Sequence, residues 1–167
     1  MELSPLGRLL AELLAPAVPA AVMGSRILQL MGDHLGDSLA PMPGAVELVR
    51  ALGGRRRLAV ASNAPRSVVI AHLEGFFELS AFTAIVGGDD VDAPKPEPAA
   101  YLAACTVLGT DPSTAIAVED SQTGAASALA AGLFVVGIPS LLGGSPLPCH
   151  LNVPTLKDPR LCAALCP

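Results

Sequence analysis

Four times between residues 58 and 137 a short apolar run stops abruptly at glycine or polar residues, and a helical pattern separates each run from the next. Leu58-Ala59-Val60-Ala61 stops at Ser62-Asn63, Ala84-Ile85-Val86 at Gly87-Gly88-Asp89, Ala115-Ile116-Ala117-Val118 at Glu119-Asp120, and Phe134-Val135-Val136 at Gly137. Apolar residues at adjacent rather than alternate positions imply burial on both faces, the condition of strands in a parallel sheet covered by helices. Ser67 to Leu73, Ala99 to Leu108 and Thr123 to Ala131 supply the intervening helices. This alternation predicts an α/β fold, a parallel sheet with right-handed crossovers. In such sheets ligands gather outside the carboxyl ends of the strands.

The flanks differ. Residues 1–40 carry helical apolar spacing, Leu6, Leu9, Leu10, Leu13 and Leu14, then Val22, Met23, Ile27, Leu30 and Met31 beyond Pro16 and Pro19, which predicts two helices. A turn at Pro41-Met42-Pro43-Gly44 introduces a further helix, Ala45 to Leu52, stopped by Gly53-Gly54. From Leu141 to Pro167 the chain has Gly143-Gly144, five prolines and no sustained periodicity, and is expected to be an irregular tail.

Composition narrows the function classes. Hydrophobic residues are 51% and charged residues 15% of the 167, which argues against disorder and against a broad basic surface for nucleic acid. The net charge of −5 does not favour anionic membranes. The most apolar stretch, Leu9 to Met23, is broken by Glu12, Pro16 and Pro19, so neither a membrane span nor a signal peptide is expected, and the expected location is the cytoplasm. Cys105, Cys149, Cys162 and Cys166 form no C-x-x-C and read as reduced thiols; His34, His72 and His150 share no metal-ligand spacing.

Polar residues with chemical potential fall at three places on one rim: Ser62-Asn63, Lys95-Pro96 and Glu119-Asp120-Ser121. A hydroxyl, an amide and a lysine ammonium suit phosphate oxygens, and adjacent carboxylates are hard ligands for Mg²⁺. Each group alone has a plainer explanation: a turn or cap for Ser62-Asn63, a solvated charge for Lys95, a helix cap for Glu119-Asp120-Ser121. Arg66 reads as a helix-start surface charge with a substrate anion as the alternative, and Asp33 and Asp37 read as solvated helix-end charges.

The combination, in this order, resembles the haloacid dehalogenase superfamily, in its β-phosphoglucomutase-like and phosphoglycolate-phosphatase-like branch. The resemblance rests on Pro43-Gly44-Ala45-Val46-Glu47-Leu48, Leu58 through Asn63, Lys95-Pro96-Glu97-Pro98 with Tyr101-Leu102, and Val118-Glu119-Asp120-Ser121-Gln122-Thr123-Gly124 through Ala131-Gly132. It implies a Rossmann-like core over residues 41–140 and a partial helical cap over residues 1–40. It further implies that Ser62, with Asn63 beside it, binds phosphate and that Lys95 is the catalytic lysine holding phosphate and nucleophile. Glu119 and Asp120 would be the Mg²⁺ ligands, and the substrate a small phosphorylated metabolite.

One element of the resemblance is missing. The family's nucleophile lies in a D-x-D-x-[TV] segment on a first strand, whereas the only D-x-D here is Asp90-Val91-Asp92, followed by Ala93-Pro94 in a loop where the family has no catalytic group. In the family that strand is central, between those expected at 58–61 and 115–118; its absence should leave backbone groups unpaired or force the two together. The family's last strand and helix are equally hard to find in the tail. The economical expectation is a truncated form of a longer Mg²⁺-dependent phosphatase. A non-catalytic phosphate-binding remnant or subunit and a phosphomutase are the alternatives; a dehalogenase fits less well, because Glu119-Asp120 suits a magnesium pair. The oligomeric state is open.

Overall fold

The computed structural model of the chain describes residues 40–138 and 146–165. The two helices expected within residues 1–40 fall on residues 1–39 and, with the glycines at 143 and 144, lie outside the described residues. The elements run α1 (Ala45–Leu52), β1 (Ala59–Ala61), α2 (Arg66–Glu74), β2 (Ala84–Val86), α3 (Ala99–Leu108), β3 (Ile116–Glu119), α4 (Gln122–Ala130), β4 (Phe134–Gly137), β5 (Leu151–Asn152) and α5 (Pro159–Leu165). The fold is α/β with parallel strands and helices between them, and each strand expected from an apolar run is present.

The strands do not form one sheet. β1 pairs in parallel with β2, aligning Val60 with Ile85, while β3, β4 and β5 form a second parallel sheet that aligns Val118 with Val136 and Val136 with Leu151. β1 and β3 are not hydrogen-bonded to each other. Of the two outcomes expected without a central strand, the chain adopts the first: the flanking strands stay apart with their facing edges unpaired by any described strand.

Helix α3 joins the halves. Its residues Ala100 and Ala104 are buried with Val86 of β2 and against Ala59 and Ala61 of β1. The adjoining residues Tyr101 and Cys105 belong to the core that holds Ala117 of β3, Val135 of β4 and Ala125 and Ala128 of α4. Small side chains let the helix lie close to both sheets, which explains how a chain with 3% aromatic residues closes a core. Gly109 ends α3 in the left-handed region at φ +60°, where L-residues with a Cβ are strained, and its N–H reaches back to the carbonyl of Thr106.

The segment expected to be an irregular tail carries two elements, which corrects that reading. β5 is only two residues long, too short for any periodicity to show, and extends the second sheet beside β4. α5 starts at Pro159, a residue that suits a first helical position because its missing N–H would have had no partner there. Asp158 precedes it and accepts from the Arg160 N–H, and Leu161 is fully buried among Val136, Ile138 and Val153. The Arg160 guanidinium also donates to Asp158 and holds its carboxyl below the usual range.

Helix α4 is tied to the end of β3 by Ser121, whose hydroxyl oxygen accepts from the Gly124 N–H at 3.0 Å. The capping expected of the Glu119-Asp120-Ser121 group is thus supplied by the serine. Ser121→Ala is expected to lower the unfolding free energy by about 1 kcal/mol, read from urea denaturation followed by circular dichroism.

Candidate active site

The carboxyl ends of β1 and β3 meet at one side chain. Lys95 sits in the loop after β2, and the Lys95–Pro96 bond is cis. Its ammonium donates to the Glu119 carboxylate at 2.5 Å and to the Ala61 carbonyl at 3.0 Å, with the Tyr101 hydroxyl 3.4 Å away. It also lies 4.7 Å from the centre of the Tyr101 ring, within cation–π range. Both members of the ion pair are only 9% exposed in their side chains. The plain reading of Lys95 as a solvated charge does not hold.

The loop that carries Lys95 is clamped by Asn63. The Asn63 side chain accepts from the Lys95 N–H at 2.8 Å and donates to the Lys95 carbonyl at 3.2 Å. Both ends of the amide are occupied by backbone, so what Asn63 contributes here is the position of Lys95. The Ser62 hydroxyl oxygen accepts from the Ala64 N–H at 3.1 Å, which leaves its own proton available to an acceptor at the strand end. Ser62, Lys95, Glu119 and Asp120 therefore share one rim, and Asp120 is exposed there with no hydrogen bond or ion pair among the described residues.

Glu119 is directed inward. Besides Lys95, its carboxylate accepts from the Tyr101 hydroxyl, and its second oxygen lies 3.3 Å from the Ser121 hydroxyl. It packs on Gly124 of α4 so closely that a Cβ there would fall 1.9 Å from Oε2. Tyr101 and Gly124 are thus parts of the site to which sequence reasoning assigned no role. The available signals were an aromatic residue in the first turn of the helix after Lys95-Pro96 and a glycine inside a helical pattern, where helix propensity disfavours it.

Burial first, and the Glu119 charge next, push the Tyr101 phenol far above its ordinary pKa. A raised pKa makes folding favour the neutral phenol; the associated stability is complete below pH 10, the unfolded value, and is lost as the pH rises above it. Tyr101 is the only tyrosine and there is no tryptophan. An alkaline titration followed by phenolate absorbance is expected to show no ionisation at pH 11 while the chain stays folded, and a single step that coincides with unfolding. Reversible ionisation near pH 10 without unfolding would contradict this placement.

The remaining candidates have structural partners. Asp90 accepts from the Gly87 N–H and Asp89 from the Arg66 N–H, so the Asp90-Val91-Asp92 segment stabilises the turn after β2. The Arg66 guanidinium lies 4.0 Å from Asp90. Nδ1 of His150 accepts from the Val135 N–H, and its ring stacks on Phe134. Cys105, Cys149 and Cys162 are free thiols. Among the described residues no three acidic, histidine or cysteine side chains converge as a metal cage. Of the two carboxylates expected to hold Mg²⁺, Asp120 stands at the rim without a partner among the described residues while Glu119 is engaged by Lys95 and Tyr101; Mg²⁺ takes one or two carboxylates and fills its octahedron with water and phosphate oxygens.

Comparison with known proteins places the chain in a family. The family model for haloacid dehalogenase-like hydrolases matches residues 12–138. Protein CbbY of Rhodobacter capsulatus is 44% identical over 103 residues, 59% of this chain and 45% of that protein. Phosphoglycolate phosphatase of Rhodospirillum rubrum is 37% identical over 116 residues, 67% of this chain and 48% of that protein. The chain spans less than half the length of these curated relatives. The crystal structure of CbbY from Rhodobacter sphaeroides in complex with phosphate superposes with a TM-score of 0.80 at 23% identity, covering 98% of this chain and 78% of that one, a likeness of fold.

Proposed function

The chain belongs to the family of haloacid dehalogenase-like hydrolases, and from that premise we propose that its chemistry is Mg²⁺-dependent hydrolysis of a small phosphorylated metabolite, in a form that also supplies the carboxylate nucleophile. The observation that carries the reading is the buried Lys95–Glu119 pair at 2.5 Å, set where the ends of β1 and β3 converge. A structural ion pair in that position would be costly to desolvate and gives no reason for a free serine hydroxyl and a free carboxylate on the same rim.

In this reading Lys95 neutralises phosphate oxygens as a point charge already fixed by three partners, so little reorganisation is needed when phosphate arrives. Ser62 donates its hydroxyl proton to a second oxygen, and Asn63 keeps the Lys95 loop in place. Glu119 and Asp120 would hold Mg²⁺, which when bound offsets charge on the phosphoryl group. Residues 1–40 would form the partial helical cap that closes over the substrate. Among the curated relatives, CbbY and phosphoglycolate phosphatase are of the same family; their share of identity supports a phosphatase and leaves the substrate to experiment.

The test is phosphate release from p-nitrophenyl phosphate and a panel of sugar phosphates, with and without Mg²⁺. A form carrying an upstream D-x-D segment is expected to release phosphate only with Mg²⁺, and the 167-residue chain alone to release none. No Mg²⁺-dependent release by either form would overturn the reading. A second reading, a phosphate binder without hydrolysis, rests on one observation: Asp90, first aspartate of the D-x-D segment Asp90-Val91-Asp92, is committed to a turn. It predicts calorimetric heat on titrating the chain with Mg²⁺ and phosphate, and no turnover by any form. Isomerised sugar phosphate in place of free phosphate would identify a phosphomutase.

A further inference from the structure

Helix α4 buries one polar side chain that the site described above does not use. Of its buried residues, Gly124, Ala125, Ser127 and Ala128, only Ser127 carries a polar group, and Ser127 is 0% exposed. A serine inside a helix ordinarily returns its hydroxyl to the carbonyl four residues back. Ser127 instead donates to the Glu97 carbonyl at 2.6 Å, across a sequence separation of 30 residues. Water does not reach a fully buried hydroxyl, so this bond has no competitor, and leaving it unmade would be costly.

Glu97 belongs to the turn that carries Lys95. The Glu97 N–H donates to the Pro94 carbonyl at 3.0 Å, closing Pro94-Lys95-Pro96-Glu97 into one unit. That unit is held from two sides. Asn63, beyond the end of β1, takes the Lys95 N–H at 2.8 Å and the Lys95 carbonyl at 3.2 Å, and it does so in contact with solvent. Ser127 takes the Glu97 carbonyl from a helix whose Ala125 and Ala128 share a core with Ala117 of β3 and Val135 of β4. Water competes for the exposed Asn63 bonds and not for the Ser127 bond, which makes Ser127 the firmer hold. α4 also begins directly after Asp120 and is capped by Ser121. One rigid helix therefore references both the Asp120 carboxylate at its start and the turn that bears the Lys95 ammonium.

We propose that Ser127 is a positioning residue for Lys95: by holding the Glu97 carbonyl it keeps the ammonium on Glu119 and the Ala61 carbonyl and fixes the spacing of that charge from Asp120. Ser127 touches neither phosphate nor metal in this role and acts through the backbone from Lys95 to Glu97. A role in packing alone would ask only for a small side chain. Alanine, the residue on either side of Ser127 in the sequence, would meet that need with better helix propensity. What the ammonium does for phosphate rests on the phosphatase reading; where Ser127 holds it does not.

Lys95 and Lys157 are the only lysines in the sequence, so the two ammonium groups can be followed one against the other. The 167-residue chain is treated with a trace of acetic anhydride, and acetylation of each lysine is read by mass spectrometry after digestion. Lys157, 62% exposed in its side chain, is the reference for Lys95, which is 9% exposed. In the wild-type chain Lys95 is expected to react roughly tenfold or more slowly than Lys157, because it is buried and paired. Ser127→Ala is expected to speed acetylation of Lys95 about fivefold, the effect of losing one hydrogen bond, with Lys157 unchanged. Ala125→Gly, at an equally unexposed position of the same helix, weakens α4 without removing a side-chain hydrogen bond, and is expected to leave the ratio of the two lysines as in the wild type. Equal reactivity of the two lysines in the wild-type chain, no change in Ser127→Ala, or the same change in Ala125→Gly would overturn the proposal. In calorimetry with Mg²⁺ present, inorganic phosphate is expected to bind Ser127→Ala about fivefold more weakly than the wild-type chain. Equal phosphate affinity in the two would overturn it as well. No phosphate binding by the wild-type chain would count against the phosphatase reading, while the lysine ratios still decide the role of Ser127.

Discussion

Lys95→Met is expected to lower the unfolding free energy by about 3–5 kcal/mol, a large part of the roughly 5–15 kcal/mol available to a domain. Both side chains of the pair are nearly out of contact with water, so removing the ammonium leaves the Glu119 carboxylate with hydroxyl donors only, Tyr101 and the more distant Ser121. The backbone is affected too, because the Ala61 carbonyl at the end of β1 loses its donor. Urea denaturation of the single and double variants separates these effects. Adding Glu119→Leu to Lys95→Met is expected to recover most of the loss, since a buried pair replaced by apolar side chains is often neutral. A single-variant cost below about 1 kcal/mol would show that the pair is solvated. Phosphate binding by the chain should vanish in the single variant and stay absent in the double one, so stability and ligand binding part company.

Gly124→Ala is the second large effect, and its sign is diagnostic. At an exposed interior helix position, replacing glycine by alanine stabilises by about 1 kcal/mol. Here the added methyl would lie 1.9 Å from Oε2 and 2.2 Å from Cδ of Glu119. The carboxylate has no free direction in which to retreat, because Oε1 is held by Lys95 and Tyr101. Overpacking of this kind costs about 1–3 kcal/mol, and the displaced Glu119 should weaken Mg²⁺ binding by tenfold or more in calorimetric titration. In a Glu119→Ala background the clash is gone, and the same Gly124→Ala change should become neutral or stabilising. If it destabilises equally in both backgrounds, the close approach to Glu119 is not what the glycine serves.

The sequence was most readable where one apolar run meant one strand. Leu58 to Ala61, Ala84 to Val86 and Phe134 to Val136 announced β1, β2 and β4 because helix-covered parallel strands carry few polar residues, although burial is complete only at residues such as Val135 and Val136 and is partial along β1. The rim residues were readable for the converse reason: Ser62, Lys95, Glu119 and Asp120 fall where apolar runs stop. Their partners were not readable in the same way. That Asn63 clamps the Lys95 backbone, that Tyr101 donates to Glu119 and that Gly124 receives it are contacts between residues 5 to 32 positions apart, and no local pattern encodes them. β5 and α5 escaped because two residues make no period and because a proline inside the helix start reads as a loop signal.

Helix α3 gives the chain an unusual kind of adjustability. Ser62 rides on the sheet of β1 and β2, while Glu119 and Asp120 ride on the sheet of β3, β4 and β5, and no hydrogen bond between described strands sets the span between them. Among the described residues that span is bridged by Lys95, which donates to the Ala61 carbonyl and to Glu119, and is backed by small side chains of α3, Ala100 and Ala104 against β1 and β2 and Cys105 in the core of β3 and β4, like the shim between two machine parts. In most parallel sheets the lateral spacing of neighbouring strands is set at 4.7–4.9 Å by the backbone and cannot be tuned by mutation. Between the described strands, a methylene added at Ala100, Ala104 or Cys105 would press on one half or the other without touching Ser62, Glu119 or Asp120, so the separation of hydroxyl and carboxylates answers to side chains that never reach the rim.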